Sequence, residues 1–254
     1  YFSEGFFADI FDGGAGTDTL VLDGWAEMRV GEFDGTRALV FGREGATDIA
    51  FGIEEVVGPV SANFAALGQG ISYDSGQGAV TIGNDTLSIS QITRIVGTDQ
   101  DDSLMLGDSL MPRQAAYGMG GDDIISSSRE GITIYGGNGD DQITGVNSTL
   151  RGGAGDDTLI NAGGRSSLAG GSGADTLYGQ IGDGFNGDAL DTLFLNGVQI
   201  SGDDVMYATS EYFRFSSYYN RFEDFLAKDF VVMVRPAFFQ PYWDGTQSDI
   251  LWEG

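Results

Sequence analysis

Cysteine and histidine are absent from this sequence, lysine occurs once (Lys228), and proline occurs four times in 254 residues. Without cysteine there is no disulfide and no thiolate ligand, which excludes zinc and iron–sulfur sites of the usual kind. Without histidine, Ser-His-Asp and Cys-His nucleophilic catalysis fall away, together with most transition-metal sites. Scarce proline excludes a collagen-like or Pro/Gly linker composition. No run of 18 or more apolar residues is present, so no membrane-spanning helix is expected. The sequence opens at Tyr1 with neither methionine nor signal peptide, as expected of a processed product or a piece of a larger protein.

Positive charge is equally scarce: 12 basic residues face 38 acidic ones, a net charge of -26. Such a chain repels nucleic acid and anionic membranes. A compact state also repels itself unless cations enter it. At 41% hydrophobic residues the chain is too apolar for a disordered acidic tail, and it is long enough to bury a core. The ligands left for a metal are carboxylates and backbone carbonyls. That hard oxygen set suits calcium better than magnesium, which keeps its waters.

Glycine supplies 42 residues, well above the usual share of about 7%, and it recurs in a pattern. Four segments align: GMGGDDII (118–125), GGNGDDQI (136–143), GGAGDDTL (152–159) and GGSGADTL (170–177). Weaker copies are GGAGTDTL (13–20), GTDQDDSL (97–104) and NGDALDTL (186–193). The key aspartates Asp123, Asp141, Asp157, Asp175 and Asp191 are separated by 18, 16, 18 and 16 residues, a regularity that marks a solenoid. In each unit the glycines let the backbone curl so that carbonyls point to one spot, and the aspartate adds charged oxygens there. The tail then alternates like a short strand with its apolar residue inward. One turn cannot fill a calcium shell, but two turns stacked about 4.8 Å apart can.

These segments resemble the RTX calcium-binding repeat, GGxGxDxUx, closely at 136–143, 152–159 and 170–177 and partially elsewhere. The resemblance implies an all-β fold, a right-handed parallel β-roll or β-helix solenoid with calcium between turns stacked on one edge. It implies Asp141, Asp157 and Asp175 as side-chain ligands. Backbone carbonyls of Gly136, Gly137, Asn138 and Gly139, of Gly152, Gly153, Ala154 and Gly155, and of Gly170, Gly171, Ser172 and Gly173 complete the shells. Asp123, with Gly118 and Gly120 in its turn, and Asp191 would close the array. Asp18 and Asp102 are further candidates, followed by Asp85, whose loop is too short to match. Unlike family arrays with a nonapeptide every nine residues, the half-coils at 126–135, 144–150 and 161–168 carry no full calcium turn. One calcium-bearing edge, one edge of plain turns and roughly four or more calcium ions are therefore expected.

Residues 1–95 read as degenerate β-rich coils, with a looser β lobe at 21–90, leading into a calcium-binding roll at 96–204. Residues 205–254 form an aromatic-rich cap holding 14 of the chain's 30 aromatics. A solenoid end needs such a cap. Within it, 217–230 reads as a short amphipathic helix and 231–234 as a strand. Tyr218, Tyr219, Tyr242 and Trp243 are candidates for a polysaccharide or a cell-surface or assembly partner. The resemblance adds an uncleaved type I export signal at this position. The glycine loops lack the GK[ST] of phosphate sites, and no twelve-residue loop ends in the glutamate of an EF-hand. Glu54 and Glu55, neighbours in a strand, point to opposite faces and make no glycosidase pair. The expectation is a non-catalytic, calcium-binding module of a secreted or cell-surface protein. It stands alone, belongs to a larger protease, lipase or polysaccharide-modifying enzyme, or serves an adhesin or surface assembly.

Overall fold

The computed structural model describes residues 9–43, 46–107, 115–180, 183–187, 191–200 and 230–233. These residues form strands and no helix, so none is a helix long and apolar enough to cross a membrane. Each glycine turn feeds a short strand, and like strands of successive coils stack in parallel. One ladder runs through Ser103–Leu106, Ile124–Glu130, Gln142–Val146, Thr158–Gly163, Thr176–Gly179 and Thr192–Leu195. The other runs through Asp85–Val96, Ala115–Gly120, Thr133–Asn138, Thr149–Ala154, Ser167–Ser172 and Gly184–Gly187. A coil takes one strand from each, giving a β-roll solenoid.

Register explains the core. Leu104, Ile125, Ile143, Leu159, Leu177 and Leu193 form one inward column, and Ile95, Ala116, Ile134, Leu150, Leu168 and Phe185 form the other. All are buried in a single hydrophobic cluster. Because side chains alternate with period two, a one-residue slip would turn a whole column outward, so the apolar columns lock the register of the turns.

The two edges of the roll differ. At the glycine–aspartate edge the coils stay in strict register, whereas the uneven coil lengths are absorbed at the other edge. There the ladder slips, pairing Glu130 with Val146 and Val146 with Gly163. This second edge carries its own polar ladder. The Ser148 N–H donates to Ser166 Oγ (3.0 Å), and the Ser166 N–H donates to Asp183 Oδ1 (2.8 Å). Asp183 Oδ2 accepts from Asn161 Nδ2 and from the Gln180 N–H, both at 2.7 Å. Asp183 is buried with both oxygens satisfied by protein donors. Asp183→Ala strands those donors and is expected to cost about 2 kcal/mol in calcium and in EDTA alike, checked by melts in both.

Residues before the array stack in parallel, Thr19–Val21 on Glu55–Asn63 and Glu55–Asn63 on Asp85–Val96, and add antiparallel units to that stack. Ala26–Phe33, Thr36–Arg43 and Ala46–Phe51 form an antiparallel meander. Its first turn is Asp34–Gly35, with φ of 52° and 73°, the left-handed pair of a tight hairpin turn. A second antiparallel unit joins Ile71–Asp74, Ala79–Ile82 and the start of Asp85–Val96. At the far end both ladders close on antiparallel strands, Val198–Ile200 on Thr192–Leu195 and Phe230–Met233 on Gly184–Gly187. The latter holds most of the strand expected at 231–234. The helix expected at 217–230, apart from Phe230, and Tyr218, Tyr219, Tyr242 and Trp243 lie outside the described residues.

Candidate metal centre

The aspartates of successive turns form two rows along one edge. In the inner row each carboxylate reaches back to the preceding coil. The Asp102 N–H donates to Asp123 Oδ1 (2.7 Å), Asp123 to Asp141 (2.9 Å), Asp141 to Asp157 (2.9 Å), Asp157 to Asp175 (2.8 Å) and Asp175 to Asp191 (3.1 Å). The outer row runs the other way. Asp101 Oδ1 accepts from the Asp122 N–H, Asp122 from Asp140, Asp140 from Asp156, and Asp156 from Ala174. The first aspartate of each Asp-Asp pair thus has a structural role that the repeat pattern alone does not assign.

Inner and outer rows differ in burial. Asp123, Asp141, Asp157 and Asp175 are 1–2% exposed. The second oxygens (Oδ2) of Asp123, Asp141 and Asp157 are buried with no hydrogen-bond donor. Each lies against the first glycine of its own turn. A Cβ on Gly118, Gly136 or Gly152 would collide with Oδ2 of Asp123, Asp141 or Asp157. The same Cβ would stand 2.6, 2.8 or 2.6 Å from the carbonyl oxygen of Gly136, Gly152 or Gly170 in the next coil. A buried anionic oxygen without a donor, a carbonyl from the next turn beside it, and space kept open by glycine are what a hard cation needs. No three carboxylates converge on one point among the described residues, so carbonyls must supply the rest of any shell.

The family model described as the RTX calcium-binding nonapeptide repeat matches this chain in four copies, at residues 5–24, 133–145, 147–168 and 162–183. The chain carries RTX calcium-binding repeats. A search of curated proteins finds no match. The RTX copies include the turns at 13–20, 136–143, 152–159 and 170–177, and the turn at 118–125 stacks in the same row. RTX repeats are structural calcium-binding modules typical of secreted proteins.

Not every candidate position of the RTX array is equivalent. Asp102 has both oxygens engaged: Oδ1 accepts from the Ile71 N–H (2.7 Å) and Thr98 Oγ1 (3.0 Å), and Oδ2 from the Thr98 N–H (2.7 Å). It terminates the row with protein donors. In the first turn Met119 holds φ of 92° where the later turns place Gly137, Gly153 and Gly171, a strained position for a side chain. Carbonyls of Ala154 and Ser172 accept from the N–H groups of Gly139 (2.7 Å) and Gly155 (2.9 Å), which ties those turns together directly. Gly120 and Asn138 sit in the same ladder, register partners of each other. At the N-terminal copy, Asp18 Oδ2 is buried without a donor, and its N–H donates to Glu54 Oε2 (2.9 Å). Glu54 therefore occupies the place that the next coil's aspartate takes in the main array. Asp85 stands at a hairpin turn, away from the row.

Burial governs the electrostatics of the inner row. Loss of solvation pushes the Asp123 carboxyl up to about 8, Asp141 to about 6 and Asp157 to about 7. Hydrogen bonds from backbone N–H groups oppose the rise, and neighbouring carboxylates add to it. Asp102 is raised too, chiefly by burial. These folded-state values lie above the unfolded value of about 3.9, so the metal-free fold holds more protons than the unfolded chain. The resulting stability is complete below about pH 4 and is lost as pH rises through 6 to 8. In EDTA the melting temperature is accordingly expected to be higher at pH 5.5 than at pH 8.5. Saturating calcium, which competes with those protons, should remove or reverse the trend. A flat profile in EDTA would contradict the inner-row electrostatics.

Proposed function

We propose that this chain is a calcium-dependent folding module that works outside the cell. In this reading Asp123, Asp141, Asp157 and Asp175 hold cations through their second carboxylate oxygens, and glycine-turn carbonyls of the adjoining coil complete each shell. Asp191 closes the row at one end, and Asp18 with Glu54 forms a separate position. A bound cation supplies the positive charge that the buried carboxylate row otherwise lacks. The observation that carries the reading is the set of buried, donor-less oxygens on Asp123, Asp141 and Asp157. Binding and folding are then one equilibrium, because the site exists only when successive coils stack. Where calcium is scarce, the repelling carboxylates favour the unfolded chain, which suits export before folding.

The test is a calcium titration followed by far-UV circular dichroism and melting temperature, against EDTA and magnesium. Cooperative gain of β-signal and a rise in melting temperature with calcium, but not with magnesium, are expected. A fold and melting point that ignore both calcium and EDTA would overturn the proposal.

A further inference from the structure

We propose that the outer face of the second ladder is a docking surface for a linear sugar chain bearing carboxylates, gripped by Arg94 and Arg151. The strands at its centre, AAYGMG, TIYGGN, TLRGGA, SLAGGS and GFNG, contain no acidic residue in a chain that has 38 of them. Carboxylates crowd one edge of the roll, and these five strands are left without them.

Two arginines stand on it. The guanidinium of Arg94 lies 4.6 Å from the ring centre of Tyr117, and that of Arg151 lies 5.5 Å from the ring centre of Tyr135. Tyr117 and Tyr135 stack on each other at 4.9 Å with their planes 4° apart. The result is a rigid column, arginine–tyrosine–tyrosine–arginine, with its cations three strand spacings apart, about 14 Å. Both arginines are exposed, and among the described residues neither has an ion-pair partner despite the excess of acid. Stacking leaves the hydrogen-bonding edges of the guanidinium groups available to carboxylates.

The surroundings favour a sugar over an acidic peptide. Thr133, Thr149 and Ser167 form a row of hydroxyls in register along the face. Trp25, 52% exposed, lies at one end, its Nε1–H donating to Thr93 Oγ1 (3.3 Å). Thr93 is the extra residue of a β-bulge, because Val60 pairs with Ile92 and Ser61 with Arg94. The bulge sets Thr93, the residue that Trp25 contacts, next to Arg94 in the strand. An open indole, hydroxyls and two fixed cations suit a polyhydroxylated, carboxylated chain. Repulsion by the acidic edge is screened over about 8 Å at physiological ionic strength, so short-range pairing on this face prevails.

The surface consists of strands and side chains and does not rest on the calcium proposal. A short soluble oligouronate, a neutral oligosaccharide of equal length and an oligoglutamate are titrated into the full chain by calorimetry. The solution is whichever one, calcium or EDTA, gives the β-spectrum. The oligouronate is expected to bind, and Arg94→Gln/Arg151→Gln is expected to weaken it about tenfold or more with an unchanged dichroism spectrum. The neutral sugar should bind at least about tenfold more weakly. No binding of the oligouronate, equal binding by the double variant (as bridging through edge calcium would give), or equal binding of the neutral sugar or the oligoglutamate would each overturn the assignment.

Discussion

Asp157→Asn is expected to stabilise the protein in EDTA and weaken its response to calcium. The amide keeps an oxygen to accept from the Asp141 N–H, as Oδ1 does now at 2.9 Å. Its nitrogen replaces a buried anionic oxygen that has no donor. Relief of a buried, unpartnered charge contributes on the order of 1–3 kcal/mol to the metal-free fold. In calcium the sign reverses. Loss of one site at a hundredfold excess of ligand over its Kd removes about 2.7 kcal/mol. Paired melts of the wild type and the variant, with and without calcium, read both halves. A variant that is less stable in EDTA and fully responsive to calcium would show that Asp157 only bridges coils.

Gly152→Ala should do more damage, and for a steric reason. Gly152 lies outside the positive-φ region, so backbone strain is not at issue. The new methyl group would collide with Asp157 Oδ2 and stand 2.6 Å from the Gly170 carbonyl oxygen. It fills the gap proposed for the cation and pushes apart two coils whose register is set by buried columns. Overpacking of this kind costs about 1–3 kcal/mol, and the lost metal adds a similar amount. At roughly 2–4 °C per kcal/mol for a chain of this size, the calcium-loaded melting temperature should fall by about 10 °C. Gly68→Ala, with nothing within 4 Å of the added carbon, is the control and should stay within about 0.5 kcal/mol. Equal effects at the two glycines would argue that the gap at Gly152 has no special role.

The stacked turns and their strand tails were legible because glycine, aspartate and the inward Leu or Ile repeat with one period, which the apolar columns then enforce in space. The outer aspartates Asp122, Asp140 and Asp156 were visible as doublets, but their role depends on which coil each carboxylate reaches, a three-dimensional fact. Asp183 gave no signal, since its segment lacks the repeat and its partners Ser166 and Asn161 lie in the preceding coil. Glu54 was equally hidden: it meets Asp18 across 36 residues. The hairpins at Asp34–Gly35 and Asn196–Gly197 were written in plain turn chemistry, with left-handed φ at all four residues.

An anomalous difference map from crystals grown in calcium would locate the cations. Calcium peaks are expected between successive turns, each beside the second carboxylate oxygen of Asp123, Asp141, Asp157 or Asp175 and the glycine carbonyls of the adjoining coil. An empty inner edge, or peaks confined to the exposed row of Asp122, Asp140 and Asp156, would contradict this placement.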